Sequence, residues 1–521
     1  MSVTICKIKL LNYKRFKGYT IIPNKTINIL VGDNEVGKSS ILDAIDIVAC
    51  GNIRRVDAIG IDKLLNLDAV NQFMCGSKEF ETLPKMIIEL YLEGELDHTV
   101  NGKNNTEERK CDGIRLVCEP NHDYYSEIIA SITANGDYFP YDYYKIRFST
   151  FSDEGYSGYK KKIKSIIIDS SNMNSEYATN DYIKRVYNQY TEDYIAERAV
   201  HRSCYRQLKN GFCSENLHGL NQRIAEKMAY SFGLKIGSSL CLENDLMIYE
   251  DSIGIDSKGT GKQVFIKTEF ALKKAGENID VVLIEEPENH LSHINLRNLI
   301  QSIAETHSGQ LFITTHSSLI CTRLNLRNLM IMHIGEETRP TTLSALNIET
   351  EKYFCKAPVA NVVEFSLSKK VILVEGPSEY MLFEKFYSTI SGNKPEADAV
   401  NIMEIHGLSF KRYLEIAQLL GSKVAVVTDN DHNIQRNCID KYEQYSGYPQ
   451  IEVFYDNNEQ QDTFEKTLYI VNQELCDRLF RDNACEYMLK NKTEAAYILL
   501  DHVNAIAVPD YIERSIKWIN E

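Results

Sequence analysis

Val371 to Tyr380 read VILVEGPSEY, four apolar residues running straight into a glutamate, a glycine and a proline. An unbroken apolar run is the pattern of a parallel strand buried on both faces, and α/β sheets take their ligands at the carboxyl ends of strands. Glu375 is therefore expected where a reaction centre belongs. Downstream, the pattern predicts a helix over 378–390, a strand over 400–405, a helix over 411–420 and a strand over 423–428 that ends in Asp429-Asn-Asp431. Such βαβα alternation argues for a parallel sheet with Glu375, Asp429 and Asp431 at one edge. Carboxylates collected at strand ends bind hard cations such as Mg²⁺ through oxygen, and such ions stabilise the attacking and leaving oxygens of a phosphodiester. Taken alone, D-x-D is a turn; joined to VEGPSE upstream it points to a metal centre.

Working back from this stretch, 344–368 reads as a loop-rich linker, and before it lies a second chemistry. The strand TINILV, 26–31, runs into GDNEVGKSS, where Gly32, Gly37, Lys38 and Ser39 fit G-x-x-x-x-G-K-[ST] and a helix follows over 40–48. In such a loop backbone N–H groups and the helix N-terminus wrap phosphates; Lys38 reaches the β- and γ-phosphates and Ser39 ligates Mg²⁺, with Asn34 and Ser40 in the same loop. A polar glycine-rich loop, Ser257-Lys-Gly259-Thr-Gly261-Lys-Gln263, opens another helix. The strand 279–284 delivers Glu285 and Glu286, one suited to Mg²⁺ and the other to orienting the attacking water. A strand over 310–314 ends in Thr315, His316 and Ser317, where a polar side chain can meet a γ-phosphate.

Between the halves of this nucleotide site, 50–150 reads as mixed strands and loops, and 172–231 turns helical. The tyrosines of 138–148 are read first as strand packing and second as base-stacking platforms. Lys160, Lys161, Lys162 and Lys164 read as a solvated strand edge. His290 and His293, three apart, are read as packing or surface residues because no third ligand accompanies them.

The 521 residues have room for roughly three domains. Thirteen cysteines without a C-x-x-C pair predict reduced thiols, and no apolar run approaches the roughly 20 residues of a membrane helix. The charged N-terminus lacks a signal-peptide core, so a cytoplasmic protein without membrane contact is expected. A net charge of −15 means that any DNA contact must be locally basic or run through metal ions.

The first half resembles the ATP-binding-cassette heads of the RecF and SMC branch. The resemblance makes GDNEVGKS the Walker A loop, SKGTG with Ser257, Gly259 and Gly261 the signature loop, LIEEPENHL the Walker B strand, Glu286 the hydrolysis carboxylate and His316 the switch histidine. Glu285 stands where most members have Asp, SKGTGK replaces S-G-G-Q, and Gln72 is the nearest candidate for a Q-loop. Such heads close head to tail over ATP, which implies a homodimer, with a tetramer as the larger alternative.

The second half resembles the Toprim domain, and the two together resemble the OLD-family (overcoming lysogenisation defect) nucleases, including subunits of Gabija-type and retron-associated systems. The resemblance implies an α/β fold, a head over 1–171 and 236–343, a helical dimerisation insertion over 172–235, and a Rossmann-like Toprim parallel-sheet domain over 369–521. It implies metal ligation by Glu375, Asp429 and Asp431, a second ion on Glu379 and Glu465, Gly407 in the intervening turn, and Lys492 stabilising charge on the phosphate. Mg²⁺, with Mn²⁺ or Ca²⁺ as substitutes, and ATP are the implied cofactors. DNA is the implied substrate, with a helicase-like partner or a retron reverse transcriptase and its nucleic acid as further partners in antiphage defence. The reading is an ATP-regulated, metal-dependent DNA endonuclease; the alternative is a nucleotide-dependent DNA-binding clamp or sensor with an inactive Toprim domain. A topoisomerase would need an identifiable nucleophilic tyrosine, and a primase of this type a zinc module.

Overall fold

The structure, a computed structural model, describes residues 3–134, 138–158, 161–169, 176–191, 196–235, 242–274, 279–306, 309–333, 338–357, 361–405, 409–481, 483–502 and 506–521. Contacts divide it into two compact units: Met1–Leu30, Asn34–His316 and Ile334–Pro340 form one, and Val31–Asp33, Ser317–His333 and Thr341–Glu521 the other.

In the first unit an antiparallel sheet carries the strands Phe16–Ile21, Thr4–Tyr13, Met86–Glu93, Cys111–Pro120 and Tyr144–Thr150, each paired with the next. A parallel run orders Ser165–Asp169, Val281–Glu285, Gln310–Thr314 and Ile27–Gly32, with Glu285 level with Asp169 and Thr314. The helix Lys38–Cys50 packs on strands of both sheets and buries ten residues, Asp46 among them. A helix between two sheets has no solvent face, which is why its sequence is apolar almost all round. The one buried carboxylate, Asp46, is satisfied by Arg55 and by the Ser165 hydroxyl at 3.0 Å.

The region read as strands and loops also holds helices Ile53–Ile59, Leu67–Cys75 and Tyr125–Ala134. Tyr144 and Phe148 of the aromatic stretch are sheet packing, both buried. The basic run precedes Ser165–Asp169, the last strand of its sheet; Lys162 donates to the Thr99 hydroxyl at 2.8 Å, and Lys160 lies outside the described residues. The helical stretch resolves into Glu176–Tyr190, Ala196–Asn216 and His218–Ala225. The first buries Tyr182, Ile183 and Val186, whereas the second and third bury no side chain at all.

The second unit contains a four-stranded sheet, all parallel, ordered Val400–Glu404, Lys370–Val374, Lys423–Val427, Ile451–Phe454. The chain leaves Lys370–Val374 toward one edge and returns to pair Lys423–Val427 on its other side. Right-handed crossovers then put the helices Pro377–Ser391 and Phe410–Leu420 on opposite faces, and a topological switch point opens between the carboxyl ends of these two central strands. Leu382, Phe383 and Phe386 pack with Ile512, Ile516 and Ile519 of the last helix, Asp510–Asn520, in one core.

The expected linker differs from the structure. Its residues form helices Ile348–Lys356 and Val362–Leu367, packed on Ser318–Arg323 and Phe410–Leu420, and they belong to the second unit, as does 317–333. Asn347 caps the first of these by accepting the Glu349 amide at 2.7 Å, and Thr350 and Phe354, one turn apart, are its buried positions. The described cysteines are free, and among the described residues no helix is long and apolar enough to cross a membrane.

Candidate functional sites

The phosphate-binding turn begins at the end of the strand Ile27–Gly32. Gly37 precedes the helix with φ +98°, and a Cβ there would stand 2.6 Å from the Phe16 ring, so only glycine fits. Lys38 is buried, and its Nζ lies 2.9 Å from His316 Nε2. Asn34 and Ser39 are exposed and Ser40 half-buried at the same turn.

Glu285 ends the strand Val281–Glu285, and Glu286 follows with φ +39°, its amide donating to the Thr314 carbonyl at 3.0 Å. The Glu286 carboxylate accepts from Asn289 Nδ2 at 2.7 Å and lies 3.6 Å from His316 Nε2. Lys38, Glu286 and His316 are thus brought together. Gln72 is not part of this group: it is exposed on Leu67–Cys75 and accepts from Lys17 at 3.2 Å.

The candidate signature loop follows the turn Ile255–Ser257 and opens the helix Thr260–Lys274. Glu250 pairs with both of its lysines, Lys258 and, at 2.9 Å, Lys262. Gly259 has open space at its Cβ position, whereas a Cβ on Gly261 would stand 2.1 Å from the His290 carbonyl oxygen. His290 and His293 are both exposed, and the helix His293–Thr306 starts only at the second, so they do not share a helical face.

In the second unit every strand of the sheet ends at or near a carboxylate: Glu404, Glu375, Asp429 and Asp456. Glu375 Oε1 accepts from the Thr428 hydroxyl at 2.5 Å and the Asp429 amide at 3.2 Å, which locks one central strand's glutamate onto its neighbour's end. Gly376 and Pro377 start the next helix, and its first turn carries Glu379, buried. Glu465, also buried, sits in the first turn of Phe464–Val471, and Lys492 Nζ from the start of Lys492–Leu500 lies 3.0 Å from its Oε2.

Burial pushes the Asp429 carboxyl up to about 9, helped by the charges of Glu375, Glu379 and Glu465 and opposed by Lys492. Burial likewise raises Glu379 to about 7, with Glu465 and Glu375 adding to the effect. Lys492 is pushed up, its burial outweighed by Glu465, Asp429 and Glu379. These mutual effects join Glu375, Glu379, Asp429, Glu465 and Lys492 in one electrostatic cluster. Asp431 is exposed on the following turn at φ +46°, its amide donating to the Asp462 carbonyl at 3.1 Å; Gly407 lies outside the described residues.

Several residues at this edge escaped sequence reading. Thr428 is the hydroxyl that fixes Glu375. Asp462 accepts from Lys466 at 2.5 Å and faces His432 at 2.9 Å. Buried Tyr511, raised far above its ordinary value by burial and by Asp429, Glu379, Asp456 and Glu465, faces the cluster from the last helix. Asp456 carried a usable signal, since it follows the apolar IEVFY run just as Asp429 follows its strand.

A family model described as an AAA ATPase domain matches residues 4–321, and one described as overcoming lysogenization defect protein-like, TOPRIM domain, matches residues 367–431. Endonuclease GajA of Bacillus cereus (strain VD045) is 28% identical over 164 residues, so the match spans 31% of this chain and 28% of that relative's length. Among solved structures, the recombination mediator protein RecF with ATP aligns at 12% identity over 60% of this chain and 94% of its own, with a TM-score of 0.34. The C-terminal region of the Xanthomonas campestris pv. campestris OLD protein aligns at 19% identity over 30% of this chain and 94% of its own, with a TM-score of 0.23.

Proposed function

We propose that this chain, which belongs to the AAA ATPase domain family over residues 4–321 and carries an OLD-like Toprim domain behind it, is an ATP-controlled, metal-dependent DNA endonuclease. The observation that carries the reading is the cluster of four carboxylates and one lysine at the switch point of a parallel sheet, on the same chain as a phosphate loop. Burial first, and then the excess of four acids over one lysine, raises Asp429 and Glu379 together, which is the donor chemistry a divalent cation fits.

Glu375, Asp429 and Asp431 would hold one divalent cation and Glu379 and Glu465 a second, Mg²⁺ or in its place Mn²⁺ or Ca²⁺. When bound, the cation supplies Lewis acidity to the phosphodiester and lowers the pKa of the attacking water. Thr428 and the Asp429 amide keep Glu375 in one orientation, and Lys492 offsets negative charge on the phosphate. At the other site Lys38 would bind the β- and γ-phosphates, Ser39 and Glu285 would hold Mg²⁺, Glu286 would orient water and His316 would serve the γ-phosphate. Ser257, Gly259 and Gly261 would serve the nucleotide of the second copy in a head-to-tail homodimer. Antiphage defence is the setting this reading favours.

One observation favours the clamp or sensor reading: among the described residues no three His, Cys, Asp or Glu side chains stand together as a preformed metal site. Supercoiled plasmid incubated with Mg²⁺ or Mn²⁺, with and without ATP, separates the two. Nicking that Glu375→Ala abolishes supports the endonuclease. ATP-dependent retention of DNA by the protein, without any cutting, supports the clamp. Nicking that survives Glu375→Ala places the centre elsewhere.

A further inference from the structure

Glu288 lies on the turn Pro287–Asn289 directly after the hydrolysis carboxylate, and it has no place in the phosphate chemistry assigned above. Its side chain instead crosses to the neighbouring strand end. Oε1 accepts the Thr315 hydroxyl at 2.7 Å and the His316 backbone amide at 2.6 Å. Two donors on one carboxylate oxygen make charge-assisted bonds, roughly twice as strong as neutral ones. The other oxygen, Oε2, is buried with no hydrogen-bond partner. A buried carboxylate oxygen left unsatisfied is costly, so the two bonds to Oε1 must outweigh that cost.

The anchored backbone is the one that carries the switch histidine. The His316 ring stands between Lys38 Nζ, 2.9 Å away, and Glu286 Oε1, 3.6 Å away. The turn therefore grips 314–316 at three points: the Glu286 amide on the Thr314 carbonyl, the Glu288 carboxylate on Thr315 and His316, and the Glu286 carboxylate facing the His316 ring. When a γ-phosphate enters, Lys38 must turn to it, and the ring loses one of its two neighbours. What then keeps the ring in place is Glu286 and its own backbone.

We propose that Glu288 is a positioning residue that latches the switch-histidine backbone to the turn of the hydrolysis carboxylate, so that His316 answers the γ-phosphate by rotating its ring on a fixed backbone. The proposal rests on the ATPase reading and adds a residue to it. Glu288 acts through the Thr315 hydroxyl and the His316 amide that it accepts.

The test is steady-state ATP hydrolysis by the full chain, with nucleotide affinity and thermal melting measured on each variant. Glu288→Ala is expected to lower kcat by about 10- to 100-fold, the scale of a reacting group displaced by about 1 Å, with KM for ATP within about threefold. Glu288→Gln keeps an acceptor oxygen and recovers most of the rate, and Thr315→Val, which removes one donor, falls between. If Glu288→Ala does not fold, Glu288→Gln and Thr315→Val decide. Unchanged kcat in Thr315→Val, or KM and kcat falling together with melting temperature across the series, overturns the latch. Wild-type turnover that Glu286→Gln abolishes secures the ATPase reading separately; its absence sinks that reading and the latch with it.

Discussion

Raising the pH should destabilise the metal-free second unit, and divalent metal should undo the loss. Glu379 has a folded pKa of about 7 against an ordinary 4.5, so the folded state holds its proton where the unfolded state has lost it. Stability falls with pH wherever the folded state binds more protons. The contribution is fully present below about pH 4.5, declines between there and pH 7, and is gone above; Asp429, at about 9, extends the decline toward pH 9. At about 1.4 kcal/mol per pH unit, the interval for Glu379 corresponds to about 3 kcal/mol. For a domain of this size that is about 6–12 °C of melting temperature. The assay is differential scanning fluorimetry in EDTA from pH 5 to 9, repeated with Mg²⁺ and with Glu379→Gln. The variant should flatten the slope, and the Mg²⁺ shift should be larger at pH 8.5 than at 5.5, because the cation binds the ionised carboxylates. A melting temperature independent of pH, or a wild-type slope retained in Glu379→Gln, would refute the cluster's electrostatics.

Asp429→Asn should melt within about 2 °C of wild type at pH 7, where the metal-free aspartate is itself neutral, yet lose plasmid nicking by more than about 100-fold; a large stability loss would make Asp429 structural. Lys38→Ala should abolish ATP binding in a fluorescent-nucleotide titration and remove any effect of ATP on cleavage; a retained response would break the proposed control. Gly261→Ala forces a methyl to 2.1 Å from a carbonyl oxygen and should lower the melting temperature and ATP turnover together, whereas Gly259→Ala, with open space, should leave the melting temperature unchanged.

Legibility followed how strongly each motif ties backbone to chemistry. TINILV-GDNEVGKSS and VILVEGPSEY each couple a buried strand to a short turn that opens a helix, the first turn requiring glycine at Gly37, and both sit in the structure as strand, loop and helix. The helices of 344–368 were missed because Ile348–Lys356 buries only Thr350 and Phe354, too little apolar periodicity to separate it from a loop. Asp431 reads as the twin of Asp429, but the left-handed turn after the strand leaves it exposed, a difference in surroundings that the D-x-D spacing does not encode. Tyr511 and Thr428 could not be found by motif: they enter the cluster through packing of the last helix and a pairing across two strands, which no local spacing encodes.

The helix Ala196–Asn216 spans 21 residues, about 31 Å, without burying one of them. Helices gain most of their stability from a packed face, so this one contributes little to its own persistence in an isolated chain. Its order is then a property borrowed from whatever lies against it. In the proposed homodimer, dilution rather than heat would be the agent that unravels it.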